Sequence, residues 1–349
     1  MIAVKGYAAK DAKSPLEPFS FERRDLRPND VHIDILYCGV CHSDIHQVRN
    51  EWGGSIYPMV PGHEIVGRVK AVGEKVTKFK PGDIAAVGVM IETCNNCKPC
   101  KNGLEQYCVE GFTDTYNAIE RDGKTVAMGG YSTEIVTDEK FTHLVPAGLD
   151  LAGVAPLLCA GITTYSPLRY AKVGKGVRTA VVGLGGLGHM AVKFAASFGA
   201  EVTVLSTSPS KEADARRLGA HHFALTTDRD TMKKLDSSFD VIIDTLSANH
   251  DFNPYLDLLD LDGRLMVVGL PSEHPKARTH KLTRNRRSIT GSTIGSLAET
   301  QEMLNYCAQH NIVADVEVIP IQKINEAYER MLRNDVKYRF VIDLASLKQ

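Results

Sequence analysis

The stretch that decides the fold is TAVVGLGGLGHMAVKFAASFGAEVTVLS, residues 179–206. It begins with an apolar run of strand length, passes through a glycine-rich turn into a segment with helical spacing, and ends in a second apolar run. Further strand-like runs, FDVIIDTL and GRLMVVGL, follow at 239–246 and 263–270, with helical patterns between them. Because strands that alternate with crossover helices pair in parallel, this half of the chain predicts a doubly wound parallel sheet.

The turn itself reads Gly183-Leu184-Gly185-Gly186-Leu187-Gly188. In the GxGxxG pattern between a strand and a helix, one glycine makes the tight turn and one lets a pyrophosphate approach the backbone. A third lets the helix pack closely on the strand. The pyrophosphate then lies at the positive N-terminus of the helix. This context favours a dinucleotide site over the alternative, a glycine-rich turn that binds nothing.

The end of the next strand indicates which dinucleotide is bound. A free ribose 2′-hydroxyl usually calls for an acidic residue there, whereas this chain has Ser206, Thr207, Ser208 and Lys211. Three hydroxyls and an ammonium suit a phosphate better than a bare diol, so we predict NADP(H). The alternative is that these hydroxyls only cap the next helix.

The first half of the chain has a different sequence pattern. The runs VHIDILYCGV, HEIVGRVKAVG and DIAAVGVMI are strand-like and separated by Gly/Pro turns, which predicts a β-rich barrel or sandwich. The 349 residues suggest two domains, and 43% apolar and 24% charged residues suit an ordinary globular protein. A net charge of −1 gives no reason to expect a nucleic-acid or membrane partner.

Four of the eight cysteines lie in CNNCKPCKNGLEQYC: Cys94, Cys97, Cys100 and Cys108. The N-terminus has no apolar signal region, so we expect a cytoplasmic protein, in which thiols stay reduced and clustered cysteines bind metal. The spacing differs from the ferredoxin pattern. Four thiolates without a histidine suit a closed tetrahedral zinc site, which is structural because it leaves no place for a substrate.

A second set of soft ligands is scattered along the chain. CGVCHSDIH contains Cys41, VPGHE contains His63, and APLLCAGITTY contains Cys159. Two thiolates and one imidazole suit a catalytic zinc with one open position. For Cys159 the alternative is an inert thiol in an apolar run, and the remaining Cys38 and Cys307 are interpreted as ordinary thiols.

Taken together, these motifs resemble those of the zinc-dependent medium-chain alcohol dehydrogenases, in particular the cinnamyl alcohol dehydrogenase branch. CGVCHSD, VPGHE, CxxCxxCx7C, PLLCAGITTYSPL, GLGGLGH, STSPSK and KYRFVID occur in the family's order over essentially the whole chain. The resemblance implies a GroES-like catalytic domain, a partly open β-barrel, over 1–154 with a structural zinc lobe at 93–109. It also implies a Rossmann NADP-binding domain over 155–293 and a C-terminal segment, 294–349, that returns to the catalytic domain.

The resemblance also implies roles for single residues. Cys41, His63 and Cys159 would bind the catalytic zinc, with Glu64 beside it as a transient ligand. Asp44 would orient the histidine, Ser43 would touch the substrate oxygen, and His46 would end a proton relay. The implied cofactor contacts are His42, Ser43, Thr163, Thr245, Gly269, Ser292, Thr293, Ile294 and Arg339, the last toward the phosphates.

The substrate pocket is expected near Trp52, Tyr57 and Phe112. Plant lignin-forming relatives tend to have a tryptophan in the segment after Cys108, and VEGFTDTYN has none. We therefore expect reversible NADPH-dependent reduction of aromatic and aliphatic aldehydes rather than of cinnamyl substrates alone. The alternatives are a zinc-free quinone or enoyl reductase and a non-catalytic NADPH-binding protein. Because relatives are commonly dimers, we expect a homodimer.

Overall fold

The computed structural model describes residues 1–347 except Ser272 and His274. Their contacts divide the chain into two compact units, Met1–Cys159 with Ser296–Gln349, and Ala160–Gly295. Among the described residues, no single helix is long and apolar enough to cross a membrane. One pair of helices, 151–158 and 160–170, meets both criteria when the two are taken together, but the pair is bent.

The described residues form seventeen strands and eleven α-helices. The strands of the first unit are β1 (Ile2–Ala8), β2 (Glu17–Arg23), β3 (Asp30–Gly39), β4 (Ile65–Val72), β5 (Ile84–Val87), β6 (Met90–Glu92), β7 (Thr113–Asp114), β8 (Glu134–Asp138) and β9 (Thr142–Leu144). Those of the second are β10 (Arg178–Val182), β11 (Glu201–Ser206), β12 (His222–Leu225), β13 (Phe239–Asp244), β14 (Leu259–Val267) and β15 (Ser288–Gly291). The C-terminal segment adds β16 (Val316–Pro320) and β17 (Arg339–Asp343) to the first unit.

The helices of the first unit are α1 (His42–Val48), α2 (Lys98–Lys101) and α3 (Leu151–Val154), and those of the second are α4 (Ala160–Tyr170), α5 (Gly186–Ser197), α6 (Glu212–Arg217), α7 (Arg229–Lys234), α8 (Asn253–Leu258) and α9 (Thr279–Thr283). The C-terminal segment contributes α10 (Leu297–His310) and α11 (Ile324–Leu332). Short 3₁₀ helices cover Glu105–Tyr107, Glu139–Phe141, Ala155–Leu158, Pro209–Lys211, Ile321–Lys323 and Leu344–Leu347.

The first unit is built on a seven-stranded sheet in the order β16-β17-β3-β4-β5-β9, with β8 also paired to β3. Strand β3 forms because Val31, Ile33 and Ile35 recur at every second position and are fully buried, the period of a strand. The C-terminal strand β17 pairs antiparallel with β3, with Val341 opposite Gly39. The sheet thus carries residues from both ends of the chain to the end of β3.

The segment Ala155–Cys159 belongs to this first unit, whereas the family resemblance predicts it in the nucleotide domain. The reason is packing: the 3₁₀ helix Ala155–Leu158 lies against β3, β4, β5 and β17. The unit boundaries therefore fall a few residues after the expected ones.

The second unit contains the predicted doubly wound sheet. Its six strands are all parallel and have the order β12-β11-β10-β13-β14-β15. Strand β10 has β11 on one side and β13 on the other, so the strand order reverses there. In such sheets ligands bind outside the carboxyl ends of the strands at this reversal, and the glycine turn directly follows β10.

Candidate active site and metal centres

The first unit brings Cys41, His63, Glu64 and Cys159 together, with one ligand atom of each within 4.8 Å of the others. The sulfurs of Cys41 and Cys159 lie 3.9 Å apart. A disulfide would hold them about 2.05 Å apart. Two sulfurs of a tetrahedral zinc site, each about 2.3 Å from the metal, lie roughly 3.8 Å from each other. The spacing therefore fits two ligands of one zinc ion.

The charges of this cluster also fit a cation. Contact with Cys159 holds the pKa of Cys41 well below its ordinary value, while the same contact raises the pKa of Cys159 well above it. The two thiols therefore compete for one proton when they face each other alone. A zinc ion removes that conflict because it takes both residues as thiolates.

The side chain of Asp44 positions the residues of the cluster through hydrogen bonds. Its carboxylate is fully buried and accepts hydrogen bonds from the backbone N–H groups of Cys41, at 2.9 Å, and Gly62, at 3.2 Å. It also accepts from Tyr131 Oη at 3.1 Å and lies 3.2 Å from His63 Nδ1. Because Nδ1 is engaged, Nε2 is left as the ligand atom of the histidine, the arrangement expected around metal-bound imidazoles.

Glu64 has one satisfied and one unsatisfied carboxylate oxygen. Oε1 forms an ion pair with the buried guanidinium of Arg339, while Oε2 is buried and has no hydrogen-bond partner among the described residues. Burial raises the pKa of Glu64 to about 7, against the opposing effect of Arg339. Buried oxygens without partners are rare, and a cation beside Glu64 would satisfy this one. The contact of Arg339 with Glu64 was not foreseen, and its expected contact with cofactor phosphates stays a prediction.

Gly39 leaves the room that Glu64 occupies. A β-carbon at Gly39 would lie 1.9 Å from Glu64 Oε2. We expect Gly39→Ala to displace this carboxylate, to lower the free energy of unfolding by about 1–3 kcal/mol, as overpacking does, and to weaken zinc retention. Denaturant unfolding and metal analysis measure both. Gly174→Ala is the control, because its β-carbon meets nothing closer than 3.7 Å; equal losses in both variants would contradict the prediction.

The remaining predicted residues of the first unit lie along α1 and the loop after it. Ser43 Oγ lies 3.6 Å from Cys41 Sγ, and His42 is exposed at the start of the helix. The ring of His46 contacts Glu51 through Nδ1 and stacks on Trp52, with centroids 4.9 Å apart.

The other two expected pocket residues are Tyr57 and Phe112. Tyr57 donates its hydroxyl to the Val48 carbonyl at 2.6 Å, so that hydroxyl is engaged in the fold. Phe112 is half-buried. Sequence reasoning missed Tyr131 and also Tyr116, whose ring stacks on His63 at 5.8 Å. No local pattern marks either tyrosine.

The second cluster joins Cys94, Cys97, Cys100 and Cys108. Their sulfurs lie 3.4–4.0 Å apart in the three recorded pairs, again the edge lengths of a zinc tetrahedron and not of disulfides. The backbone N–H of Cys97 donates to Cys94 Sγ at 3.3 Å, which stabilises a thiolate. Four sulfur ligands complete a tetrahedron, so the arrangement fits a closed metal site.

In the second unit the glycines of the turn differ in their surroundings. Gly183 has a φ of +86°, which favours glycine, and a β-carbon at Gly188 would lie 2.2 Å from the Gly183 carbonyl oxygen. A β-carbon at Gly185 would meet nothing within 4 Å. Gly183 therefore makes the turn, Gly188 lets the helix pack closely, and Gly185 leaves room for a ligand. These are the three roles that a pyrophosphate site requires of its glycines.

The end of β11 lies beside this turn. Lys211 donates from Nζ to the carbonyl of Leu184 at 3.0 Å, which ties the ammonium to the glycine loop. Ser208 stands at the start of the 3₁₀ helix but makes no side-chain cap, and its hydroxyl instead lies 2.9 Å from that of Ser210. The backbone N–H of Ser208 donates to Ser206 Oγ at 3.1 Å.

The other expected cofactor residues occupy the same unit. Thr245 donates its hydroxyl to the Val182 carbonyl at 2.7 Å, at the carboxyl ends of β13 and β10. A β-carbon at Gly269 would lie 2.0 Å from the Leu246 carbonyl oxygen. Thr163 is buried in α4, whereas Thr293 is exposed and Ser292 and Ile294 are half-buried in the segment after β15.

Comparison with known proteins agrees with this geometry. Residues 27–147 match the family model of the alcohol dehydrogenase GroES-like domain, and residues 186–309 match that of the zinc-binding dehydrogenases. An NADP-dependent alcohol dehydrogenase C of Mycolicibacterium smegmatis is 53% identical, with both chains fully covered. The chain belongs to the zinc-binding alcohol dehydrogenase family. The fold class predicted from the sequence, a GroES-like domain with a Rossmann domain, is thereby confirmed.

Two further proteins are similar to this dehydrogenase over nearly its whole length. The aldehyde reductase YahK of Escherichia coli is 50% identical over 99% of both chains. The solved structure of a cinnamyl alcohol dehydrogenase from Sorghum bicolor superposes with a TM-score of 0.95 at 45% identity and covers 98% of both chains. The resemblance stated from the motifs is therefore confirmed over the full length of this dehydrogenase.

Proposed function

We propose that this dehydrogenase interconverts aldehydes and primary alcohols with NADP(H), and that aldehyde reduction is its direction in the cell, where NADP is kept mostly reduced. The observation that carries the proposal is the convergence of Cys41, His63, Glu64 and Cys159 beside a buried, fully bonded Asp44. The relative from Mycolicibacterium smegmatis is an NADP-dependent enzyme, which supports the choice of cofactor.

Zinc and NADPH would supply Lewis acidity and hydride, respectively, when bound. Cys41, His63 and Cys159 would hold the zinc, while Asp44 keeps the imidazole in the tautomer that leaves Nε2 available. Glu64, whose Oε2 is buried without a partner among the described residues, would be the acid beside the zinc. Its pairing with Arg339 keeps this carboxylate from contributing a full uncompensated negative charge.

Aldehyde reduction also consumes one proton, which must reach the product oxygen from solvent. Ser43 lies next to the ligand Cys41, so its hydroxyl is suited to touch the substrate oxygen. His46, three residues further along α1, is half-buried and contacts Glu51. We assign Ser43 and His46 to the two ends of the proton route, with Glu51 holding the His46 ring.

The four-cysteine cluster would hold a second, structural zinc. A metal analysis of the purified protein tests both assignments, because two zinc ions per chain are expected. A single zinc that disappears with the cysteine cluster would overturn the catalytic assignment. A panel of aromatic and aliphatic aldehydes with NADPH then tests the reaction itself, with benzaldehyde reduction as the minimal expected result.

Cofactor choice is assigned to Ser206, Thr207, Ser208 and Lys211. We expect Lys211→Ala to raise the KM for NADPH at least tenfold with little change in the KM for NADH, because the ammonium would pair with the 2′-phosphate that NADH lacks. Steady-state kinetics of benzaldehyde reduction with both cofactors measures this. Lys234→Ala, an exposed lysine of the same unit, is the control. Equal use of NADPH and NADH by the unchanged protein would refute the assignment.

We further propose a homodimer that resides in the cytoplasm. None of the eight cysteines forms a disulfide with a described residue, which suits a reducing compartment. Sedimentation analysis tests the assembly, and a monomer at micromolar concentration would contradict it. The competing zinc-free and non-catalytic readings predicted an incomplete ligand set, whereas every expected ligand lies in its cluster.

A further inference from the structure

The short strand β7 separates side chains onto two sides of the chain. Thr113 donates its hydroxyl to Glu92 Oε2 at 3.3 Å, and Thr115 donates its hydroxyl to the Gly88 carbonyl, so both threonines face β6 and the residues before it. Because successive side chains of an extended segment point to opposite sides, we infer that the alternating residues, Asp114 and Tyr116, lie on the other side. There the ring of Tyr116 stacks on the proposed zinc ligand His63.

Asp114 is unusual among the half-buried and buried acids of this unit. Its carboxylate has no hydrogen bond and no ion pair with any residue that the structure describes. Asp44, by contrast, has four polar partners, and Asp30 is paired with Arg24. Burial raises the pKa of Asp114 to about 6, opposed by the charge of His63. Because this value lies below 7, we expect the group to be mostly ionised at neutral pH.

The half-buried carboxylate of Asp114 keeps part of its contact with water, and no described residue replaces the hydration that it loses, which destabilises the fold. A purely structural acid would be expected to have a partner, as Asp30 and Asp44 do. The absence of one at Asp114, on the side of the strand that faces a proposed ligand of the catalytic zinc, is instead what a group that meets the substrate would show. A ligand group then supplies the missing donor, and the same charge rejects ligands that carry an anion.

We propose that Asp114 is a specificity-determining residue that selects substrates by charge. It favours aldehydes and alcohols whose remote end carries a hydroxyl or another hydrogen-bond donor, and it disfavours those that carry a carboxylate. This inference rests on the proposed function. Two like unit charges about 7 Å apart, here the Asp114 carboxylate and a substrate carboxylate, repel strongly enough at an effective dielectric constant of about 20 to change affinity by at least about tenfold.

The test uses Asp114→Asn, which keeps the shape and removes the charge, in the zinc-replete protein. Benzaldehyde, 4-carboxybenzaldehyde and 4-(hydroxymethyl)benzaldehyde are compared with NADPH. We expect the variant to raise kcat/KM for the carboxylated substrate about tenfold and to leave benzaldehyde within about twofold. The hydroxymethyl substrate should lose several-fold. Glu110→Gln, which removes an exposed carboxylate from the same segment, is the control and should change no ratio.

An equilibrium measurement accompanies the kinetics. Calorimetric dissociation constants of the unreactive benzamide and 4-carboxybenzamide should show the same charge discrimination in the unchanged protein and its loss in Asp114→Asn. Equal binding of the two amides by the unchanged protein would overturn the inference, as would a variant that changes all three aldehydes alike. Failure of the proposed function is distinguishable, because the unchanged protein would then not reduce benzaldehyde at all.

Discussion

Cys159→Ser is expected to lower kcat/KM for aldehyde reduction by at least about a thousandfold and to release one of two zinc ions per chain. A thousandfold corresponds to about 4 kcal/mol of transition-state stabilisation, within the several kcal/mol that a metal ion contributes to catalysis. The physical reason lies in the cluster: Cys159 Sγ is 3.9 Å from Cys41 Sγ, and its replacement leaves one thiolate and one imidazole as strong ligands.

The measurements are steady-state kinetics and metal content of the same preparation, together with a thermal unfolding curve. The expected pattern is a folded protein with one zinc and almost no turnover. Cys307→Ser is the matched control, since Cys307 is a buried thiol that belongs to neither cluster. Full activity in the Cys159 variant with one zinc remaining would contradict the assignment of this residue to the catalytic metal.

The parts of the molecule that depend on local regularity could be predicted from the sequence. The glycine turn, the alternation of strand and helix around it, and the spacing of Cys94 to Cys108 each specify a structure within a few tens of residues. The contacts that surround the proposed catalytic site are different. Asp44 and Tyr131 are 87 positions apart, and Glu64 and Arg339 are 275 positions apart. No periodicity or spacing connects residues at such separations.

Arg339 illustrates why such contacts escape sequence reasoning. KYRFVID is visible as a strand with an arginine at its start, but the direction of that side chain depends on the register of β17. Val341 lies opposite Gly39 at the end of β3, and Gly39 is the glycine that leaves room for Glu64. One register thus joins three distant segments. A shift by one residue would turn every side chain of the strand to the other face.

Cys100→Ser is expected to lower the stability of the protein and to leave the intrinsic activity of the molecules that remain folded nearly unchanged. Cys100 is buried and its sulfur lies 3.4 Å from that of Cys97 and 3.9 Å from that of Cys94, so its loss leaves three thiolates around the proposed structural zinc. Structural zinc binding in small peptides is worth about 10–16 kcal/mol. We expect a fraction of this, at least about 3 kcal/mol, to be lost, which lowers Tm by roughly 10 °C in a unit of this size.

The readouts of this variant separate the two metal sites. The zinc content should fall from two ions to one, Tm should fall, and kcat per remaining folded molecule at low temperature should stay within about twofold. Cys307→Ser again serves as the control for removal of a buried thiol. A Cys100→Ser protein that keeps both zinc ions and its Tm but turns over no aldehyde would refute this division of labour. It would mean that the four-cysteine loop, and not the cluster around Asp44, contributes to the chemistry.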